Sequence, residues 1–300
     1  EREVVSLAFS RYFNDGDGSF TIGYTHQNID ELSGMASTTA NSSYGKYAAS
    51  DYNNRTAQRS IYETEHRLFA TMSSTHYFFG ADKPTTFNLY FERKSGLPGT
   101  YSWDTYTSGN YGGTAYQREA FGYEKNLNDD SSHLIYVPSG IDDPNVCWGS
   151  CDGAPDLAIA NQVLDMLYNQ LGLASYAGQI VPNGVYEYPW QTSLDLKITQ
   201  ILPGFRAEDE FVISLGIENL LNLIDSNKGE IEYGNYNGKM AVLDMFMNED
   251  FSKYIYPNYK GRGYPDWAYG FNQSNPKGIR KSAVNSIWRA QLGFTYKFSF

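Results

Sequence analysis

The segment that ends the chain restricts the possible fold most. Its even positions are apolar and are, in order, Trp288, Ala290, Leu292, Phe294, Tyr296, Phe298 and Phe300. Its odd positions are mostly polar and are Arg289, Gln291, Gly293, Thr295, Lys297 and Ser299. Successive side chains of a strand point to opposite faces, so this alternation predicts a strand with one apolar and one polar face. An edge strand of a soluble sandwich can alternate too, but it rarely ends the chain on a row of aromatic residues. The pattern favours the wall of a transmembrane β-barrel.

The composition agrees with a barrel. The net charge of −11 argues against a nucleic-acid partner, which would require clustered Lys and Arg. Aromatic residues make up 16% of the chain although the mean hydropathy is −0.50. A chain so polar and yet so rich in rings is typical of walls that alternate lipid-facing and water-facing residues, although composition alone also allows a soluble β-domain. The chain contains no apolar run long enough for a transmembrane helix.

Six further segments predict strands of the same kind. The alternation is clear around Leu7, Ile22, Leu89, Leu196 and Leu215. It is weak between Arg67 and His76, where the apolar residues of the two faces are nearly balanced. Together with the last segment, the predicted strands span roughly 1–14, 18–30, 61–79, 84–98, 187–203, 209–224 and 284–300.

The connections between these strands predict an orientation. Short turns rich in Gly, Asp or Pro lie at Asn14–Gly18, Gly80–Pro84 and Gly204–Asp209. Long polar stretches lie near 30–60, 99–187 and 225–284. Transmembrane barrels have short periplasmic turns and long extracellular loops, so a periplasmic C-terminus is predicted.

The strand count has a consequence for closure. Seven strands cannot form a closed barrel with an even number of strands, and lipid does not tolerate open strand edges. We therefore expect an odd number of further strands upstream of Glu1. The count could be wrong by one, because 115–124 and 132–138 could form an extracellular hairpin.

The long loops contain two predicted helices. Residues 156–171 have apolar residues at helical spacing, with Pro155 before them and Gly172 after them. Residues 240–255 predict a weaker second helix. Either helix could organise its loop or contact a ligand directly.

The cysteines, histidines and carboxylates of the chain predict a disulfide but neither a metal site nor an active site. Cys147 and Cys151, in the segment CWGSC, predict a small disulfide in an oxidising compartment, since their spacing is not that of a redox CxxC motif. A metal site would need more ligands, and the histidines are scattered, so no metal or cofactor is expected. Glu92 and Glu218 are predicted to line the lumen rather than to form an active site. No catalytic set can be assembled, and we expect the chain not to be an enzyme.

Aromatic residues dominate the long loops and allow two interpretations. They could stack on sugars or bind peptides, or they could form the small cores and the aromatic girdle that large loops need. The candidate ligand-binding residues are Trp103, Tyr106, Trp148, Tyr236, Tyr264 and Trp267.

Three stretches resemble the Oar-like branch of the TonB-dependent outer-membrane receptors. They are LIYVPSGIDDPNV at 134–146, SYAGQIVPNGVYEYPWQTSLDLKITQILPGF at 175–205 and GIENLLNLID at 216–225. The resemblance covers most of the chain from about residue 60 to the terminal GFTYKFSF. It implies that residues 1–300 are the C-terminal portion of one barrel domain of about 22 strands, which an N-terminal plug fills.

The resemblance also implies partners and a function. The barrel would contact outer-membrane lipid and lipopolysaccharide, the TonB complex through the plug region, and the barrel-assembly machinery through the strand ending in Phe300. The expected function is energised uptake of an extracellular ligand captured by the loops in the bacterial outer membrane. The alternatives are a surface scaffold or adhesion protein anchored by the barrel and, less favoured, a passive porin.

Overall fold

The computed structural model describes residues 1–32, 38–39, 43, 48–51, 54–104, 133–206, 208–234, 239–248, 250, 252–257 and 279–298. The strands are β1 Arg2–Phe13, β2 Gly18–Glu31, β3 Gln58–Arg59, β4 His66–His76, β5 Thr85–Lys94, β6 Pro98–Asp104, β7 Tyr136–Val137, β8 Val146–Gly149, β9 Gln179–Ile180, β10 Tyr186–Glu187, β11 Gln191–Pro203, β12 Glu210–Glu218, β13 Glu232–Tyr233, β14 Lys239–Asp244, β15 Phe246–Met247, β16 Tyr254–Pro257, β17 Arg280–Lys281 and β18 Arg289–Lys297. The α-helices are α1 Leu157–Asp165 and α2 Leu220–Ile224.

One antiparallel sheet carries the long strands. Its order is β1-β2-β4-β5-β11-β12-β18, and the short strand β3 also pairs with β2. Each long strand coincides with one of the seven predicted segments, with β2 extending one residue beyond its segment, and each pairs with the next long strand along the chain. Among the described residues, β1 and β18 form the two edges of this sheet, and no pairing between them closes it.

Connections of different length lie at opposite ends of the sheet. The short connections β1–β2, β4–β5 and β11–β12 all lie at one end, because the strands alternate in direction. In the first of them, Asn14 and Asp15 both have φ of 53°, a left-handed conformation that Asn and Asp tolerate better than other side chains. The long connections follow β2, β5 and β12 and therefore leave from the other end.

The predicted helix at 156–171 is present. Asp156 caps α1 by accepting hydrogen bonds from the backbone N–H groups of Ala158 and Ile159, and a π-helical turn, Met166–Gln170, continues it. Gly172, with φ of 73°, follows the turn in the left-handed conformation that ends many helices. No helix in the part of the chain that the structure describes is long and apolar enough to cross a membrane.

The predicted helix at 240–255 is wrong. This segment contains β14, β15 and β16, and β14 and β16 run parallel to β6 and β8, which belong to another loop. Met240 and Val242 are both buried, which fits the period of a strand rather than that of a helix. Pairing with a distant segment has overridden the local preference for a helix.

Only part of the suggested extracellular hairpin lies among the described residues. Within residues 132–138, Tyr136–Val137 pairs antiparallel with Gln179–Ile180, and α1 lies between these two strands in the sequence. Residues 115–124, the other half of the suggested hairpin, lie outside the described residues.

The main hydrophobic core lies outside the sheet. We call the described residues of 95–104, 133–188 and 239–257 the loop cap. Its core comprises Tyr101, Ile135, Tyr136, Val137, Val146, Trp148, Ile159, Ala160, Met166, Leu167, Leu171, Leu173, Val181, Tyr188, Met240, Val242, Met245 and Tyr256. The two long loops after β5 and β12 thus fold together at the end of the sheet opposite the short turns.

Candidate functional site

The seven long strands of the main sheet share one apolar face that continues from strand to strand. The register places directly paired residues on the same face. Rows of such residues cross the sheet, and one row is Phe20, Met72, Leu89, Leu196, Ile217 and Ala290. The row beside it on one side is Phe9, Ile22, Ala70, Phe91 and Leu194. Phe87, Ile198, Leu215 and Leu292 form part of the row on the other side.

This apolar face is not covered by the described part of the chain. Leu7 is 75% exposed, Phe9 60% and Leu292 59%. An ordinary soluble sheet buries such a face against a second layer. A continuous apolar surface of this width therefore indicates contact with lipid or with another protein surface.

The opposite face of the sheet is polar, and ion pairs and hydrogen bonds join its side chains on neighbouring strands. Ion pairs join Arg67 to Glu92 and Arg289 to Glu218, each at 2.7 Å between nitrogen and oxygen. Hydroxyl groups pair on the same face, as in Ser10 Oγ and Thr21 Oγ1 at 2.8 Å. Glu92 and Glu218 therefore lie on the polar face, as the alternation predicts, and both contact cations.

Phe69 is a large apolar side chain on the polar face, and its neighbour explains its position. The register places Phe69 directly opposite Gly23. A Cβ atom at Gly23 would lie 2.3 Å from the Phe69 ring, so the ring occupies the space that the glycine leaves. The Arg67 guanidinium lies 5.8 Å from the centre of the same ring, within the range of a cation–π contact.

A polar groove lies where this face meets the last long loop. Its volume is about 330 Å³. Glu92, Lys94, Asp195, Glu218 and Arg289 line it together with other polar side chains. The backbone N–H of Asn219 donates to Asp195 Oδ1 at 2.8 Å, which fixes the end of β12 against β11. Because both signs of charge line the groove, it suits a polar or zwitterionic ligand better than an apolar one.

Asp143 organises one side of the loop cap. Its buried carboxylate accepts hydrogen bonds from the backbone N–H groups of Ser139 and Asn145 and from the hydroxyl of Tyr136. Burial alone would raise the pKa of Asp143, but these donors outweigh it and hold the pKa below its ordinary value. Tyr256 donates to the Tyr136 carbonyl at 2.8 Å, which joins the two long loops.

The candidate ligand-binding residues fall into two groups. Trp148 is 2% exposed, and its indole N–H donates to the Ile141 carbonyl at 2.8 Å. This placement corresponds to the second interpretation, in which loop aromatics form small cores. Trp103 lies in β6, and Tyr106, Tyr236, Tyr264 and Trp267 lie outside the described residues.

The two cysteines lie on either side of Trp148 along the chain, and Cys147 is buried whereas Cys151 is exposed. Cys147 and Cys151 are joined in a disulfide with an S–S distance of 2.07 Å. The bridge closes a small ring around Trp148, which stacks on Tyr256 with ring centres 5.1 Å apart. The disulfide therefore holds the segment that carries this part of the core.

One cluster of possible metal ligands is absent from the sequence-based predictions. His26, Glu65 and His66 each offer a ligand atom, and these atoms lie within 4.8 Å of one another. The histidines are scattered along the sequence, but the register pairs His26 directly with His66. Only an alignment of β2 against β4 could have revealed this pairing.

Comparisons with protein-family models, with curated proteins and with solved structures found no match for this chain. Any functional assignment therefore has to come from the sequence and the geometry described above.

Proposed function

We propose that the chain is part of the wall of an outer-membrane β-barrel whose outer loops capture a ligand for uptake, as in the TonB-dependent receptors. The observation that carries this proposal is the exposed apolar face across the long strands, backed by a polar face and bounded by short turns at one end. Lipid would cover the apolar face, and water or a plug would meet the polar one.

In this arrangement the two edges of the sheet need partners. Unpaired backbone groups at the edges of β1 and β18 would be costly in hydrocarbon, so further strands of the same barrel would complete the hydrogen bonding there. The short turns would face the periplasm, and lipopolysaccharide would surround the outer end of the wall.

The loop cap supports a receptor rather than a simple pore. It has its own core and two parallel strand pairs that join the loops after β5 and β12. A folded structure at the mouth presents a fixed surface, which lowers the conformational entropy lost when a ligand binds. The polar groove below it would continue the path along the inner face.

Labelling of two neighbouring cysteine variants tests whether the apolar face of the sheet contacts lipid. Leu215→Cys lies on the apolar face of β12 and Ser214→Cys, its neighbour, on the polar face. In the full-length natural protein in membranes, a lipid-soluble maleimide should react with Leu215→Cys and a charged, membrane-impermeant maleimide should not. Ser214→Cys should show the smaller reaction with the lipid-soluble reagent. Equal labelling of the two variants by that reagent would contradict the proposed wall.

A second experiment separates a receptor from an anchored scaffold. Photo-crosslinking groups placed in the periplasmic domain of TonB should capture the full-length natural protein in living cells. Capture from these positions, but not from the same group placed in an unrelated periplasmic protein, supports energised uptake. Absence of capture, in cells whose surface displays the loops normally, would favour the scaffold or adhesion function.

A further inference from the structure

The ends of β2 and β4 next to the first long loop bring together the side chains of His26, Glu65 and His66. His26 and His66 are direct cross-strand partners, and their rings stack with centres 5.0 Å apart. Glu65 immediately precedes β4, and its Oε1 lies 3.3 Å from His66 Nε2. All three side chains are partly buried, so solvent and ions can reach them.

The spacing of the two imidazoles matches that of metal ligands. His26 Nδ1 and His66 Nδ1 are 3.3 Å apart. Zinc binds imidazole nitrogen at about 2.0–2.1 Å, so two nitrogens on a tetrahedral ion lie about 3.3–3.4 Å apart. The backbone pairing of β2 and β4 thus holds two ligands at the required separation before any ion binds.

The surroundings support the third ligand. The Arg59 guanidinium donates to Glu65 Oε2 at 2.7 Å and leaves Oε1 directed towards Nε2 of His66, while His26 faces Nδ1 of the same ring. Such a contact orients a ligating carboxylate, as the outer partners of metal ligands commonly do. Trp190 stacks on the other side of His66, with ring centres 5.8 Å apart, and restricts the rotation of that imidazole.

We propose that His26, His66 and Glu65 bind a divalent transition metal ion such as Zn²⁺. Two imidazoles and one carboxylate suit zinc, and three protein ligands leave one position for water. To coordinate one ion together with His26 and Glu65, His66 would turn its ring or Glu65 would move towards Nδ1, and the hydrogen bond between His66 Nδ1 and the Tyr24 hydroxyl, now 2.8 Å long, would break. The ion would tie the first long loop to the sheet. The site depends on the β2–β4 register alone and not on the proposed receptor function.

Metal analysis of matched variants tests the site. The full-length natural protein, dialysed against micromolar ZnCl₂ and then against buffer, should retain one zinc ion more per chain than the variant His26→Asn, as measured by mass spectrometry. Titration should show that this variant binds Zn²⁺ at the site at least about tenfold more weakly. His76→Asn is the control, because His76 lies on β4 but contacts Ser74 and Phe78 at the other end of the strand. It should bind zinc as the natural protein does.

A second measurement does not depend on the folding of a variant. X-ray absorption at the zinc edge of the loaded natural protein should show scattering from two imidazole rings together with oxygen ligands. Equal zinc retention by the natural protein and His26→Asn, or a spectrum without imidazole scattering, would overturn the proposal.

Discussion

If the sheet is part of a barrel wall, as proposed, a positive charge in the middle of its apolar face should be strongly destabilising. Leu292 is one residue from the centre of the nine-residue strand β18, Arg289–Lys297. One residue corresponds to about 3.4 Å along a strand, so under the proposed function Leu292 lies close to the bilayer midplane. A Lys at this depth costs about 2–4 kcal/mol. We therefore expect Leu292→Lys to lower the free energy of unfolding by that amount.

The neighbouring residue provides the matched control. Gln291 is on the polar face, opposite Gly216, so Gln291→Lys adds the same charge at almost the same depth. Its cost should stay within about 0.5 kcal/mol, as for most surface substitutions. Both variants of the full-length natural protein would be folded into phospholipid vesicles and unfolded in guanidinium chloride, with tryptophan fluorescence as the signal. If the two substitutions cost the same, the apolar face does not contact hydrocarbon and the reasoning fails.

Three further predictions concern the loop cap. Trp148→Ala should lower the local stability of the loop cap by about 3–5 kcal/mol, because it removes a buried ring. Amide hydrogen exchange should become faster in the loop cap but not in the sheet. Unchanged exchange in the loop cap would contradict a core role for Trp148. Replacing Cys147 and Cys151 by Ser should destabilise the loop cap by about 2 kcal/mol, since the bridge closes a very short ring, again measured by hydrogen exchange. Asp143 has a lowered pKa, so its contribution is complete above about pH 4 and is lost as the pH falls through the lowered value. Asp143→Asn should flatten this part of the pH dependence of loop-cap exchange, and an unchanged profile would show that another group causes it.

The long strands could be predicted because their pattern is local. Alternation over a single strand marks both faces, and short turns with Gly, Asp and Pro mark their ends. The segment around Leu68 and Phe69 was ambiguous for a physical reason. Phe69 is on the polar face because Gly23, on the neighbouring strand, leaves room for its ring. A sequence pattern within one strand does not contain that information.

The loop cap and the possible metal site depend on contacts between distant residues. The apolar residues of the segment 240–255 have spacings that are compatible with a helix as well as with strands. The segment forms strands because it pairs with β6 and β8. His26 and His66 become neighbours only through the β2–β4 register. Whether the aromatic residues of the long loops bind a ligand stays a prediction, since most of the candidates lie outside the described residues.

The way in which the loop cap is assembled has a consequence for the order of folding. Each long strand pairs with the next long strand along the chain, and the short turns close three of these pairs with little loss of chain entropy. The loop cap instead pairs β6 with β14 and β8 with β16, segments separated by long stretches of chain that include β11 and β12. Contacts between segments so far apart in the sequence form slowly. We expect them to form only after the β11–β12 hairpin has brought both loops to the same end of the sheet. The loop cap should therefore fold last. Under the proposed function, a defect in the loop cap would give a protein that inserts into the membrane but stays incompletely folded, rather than one that fails to insert.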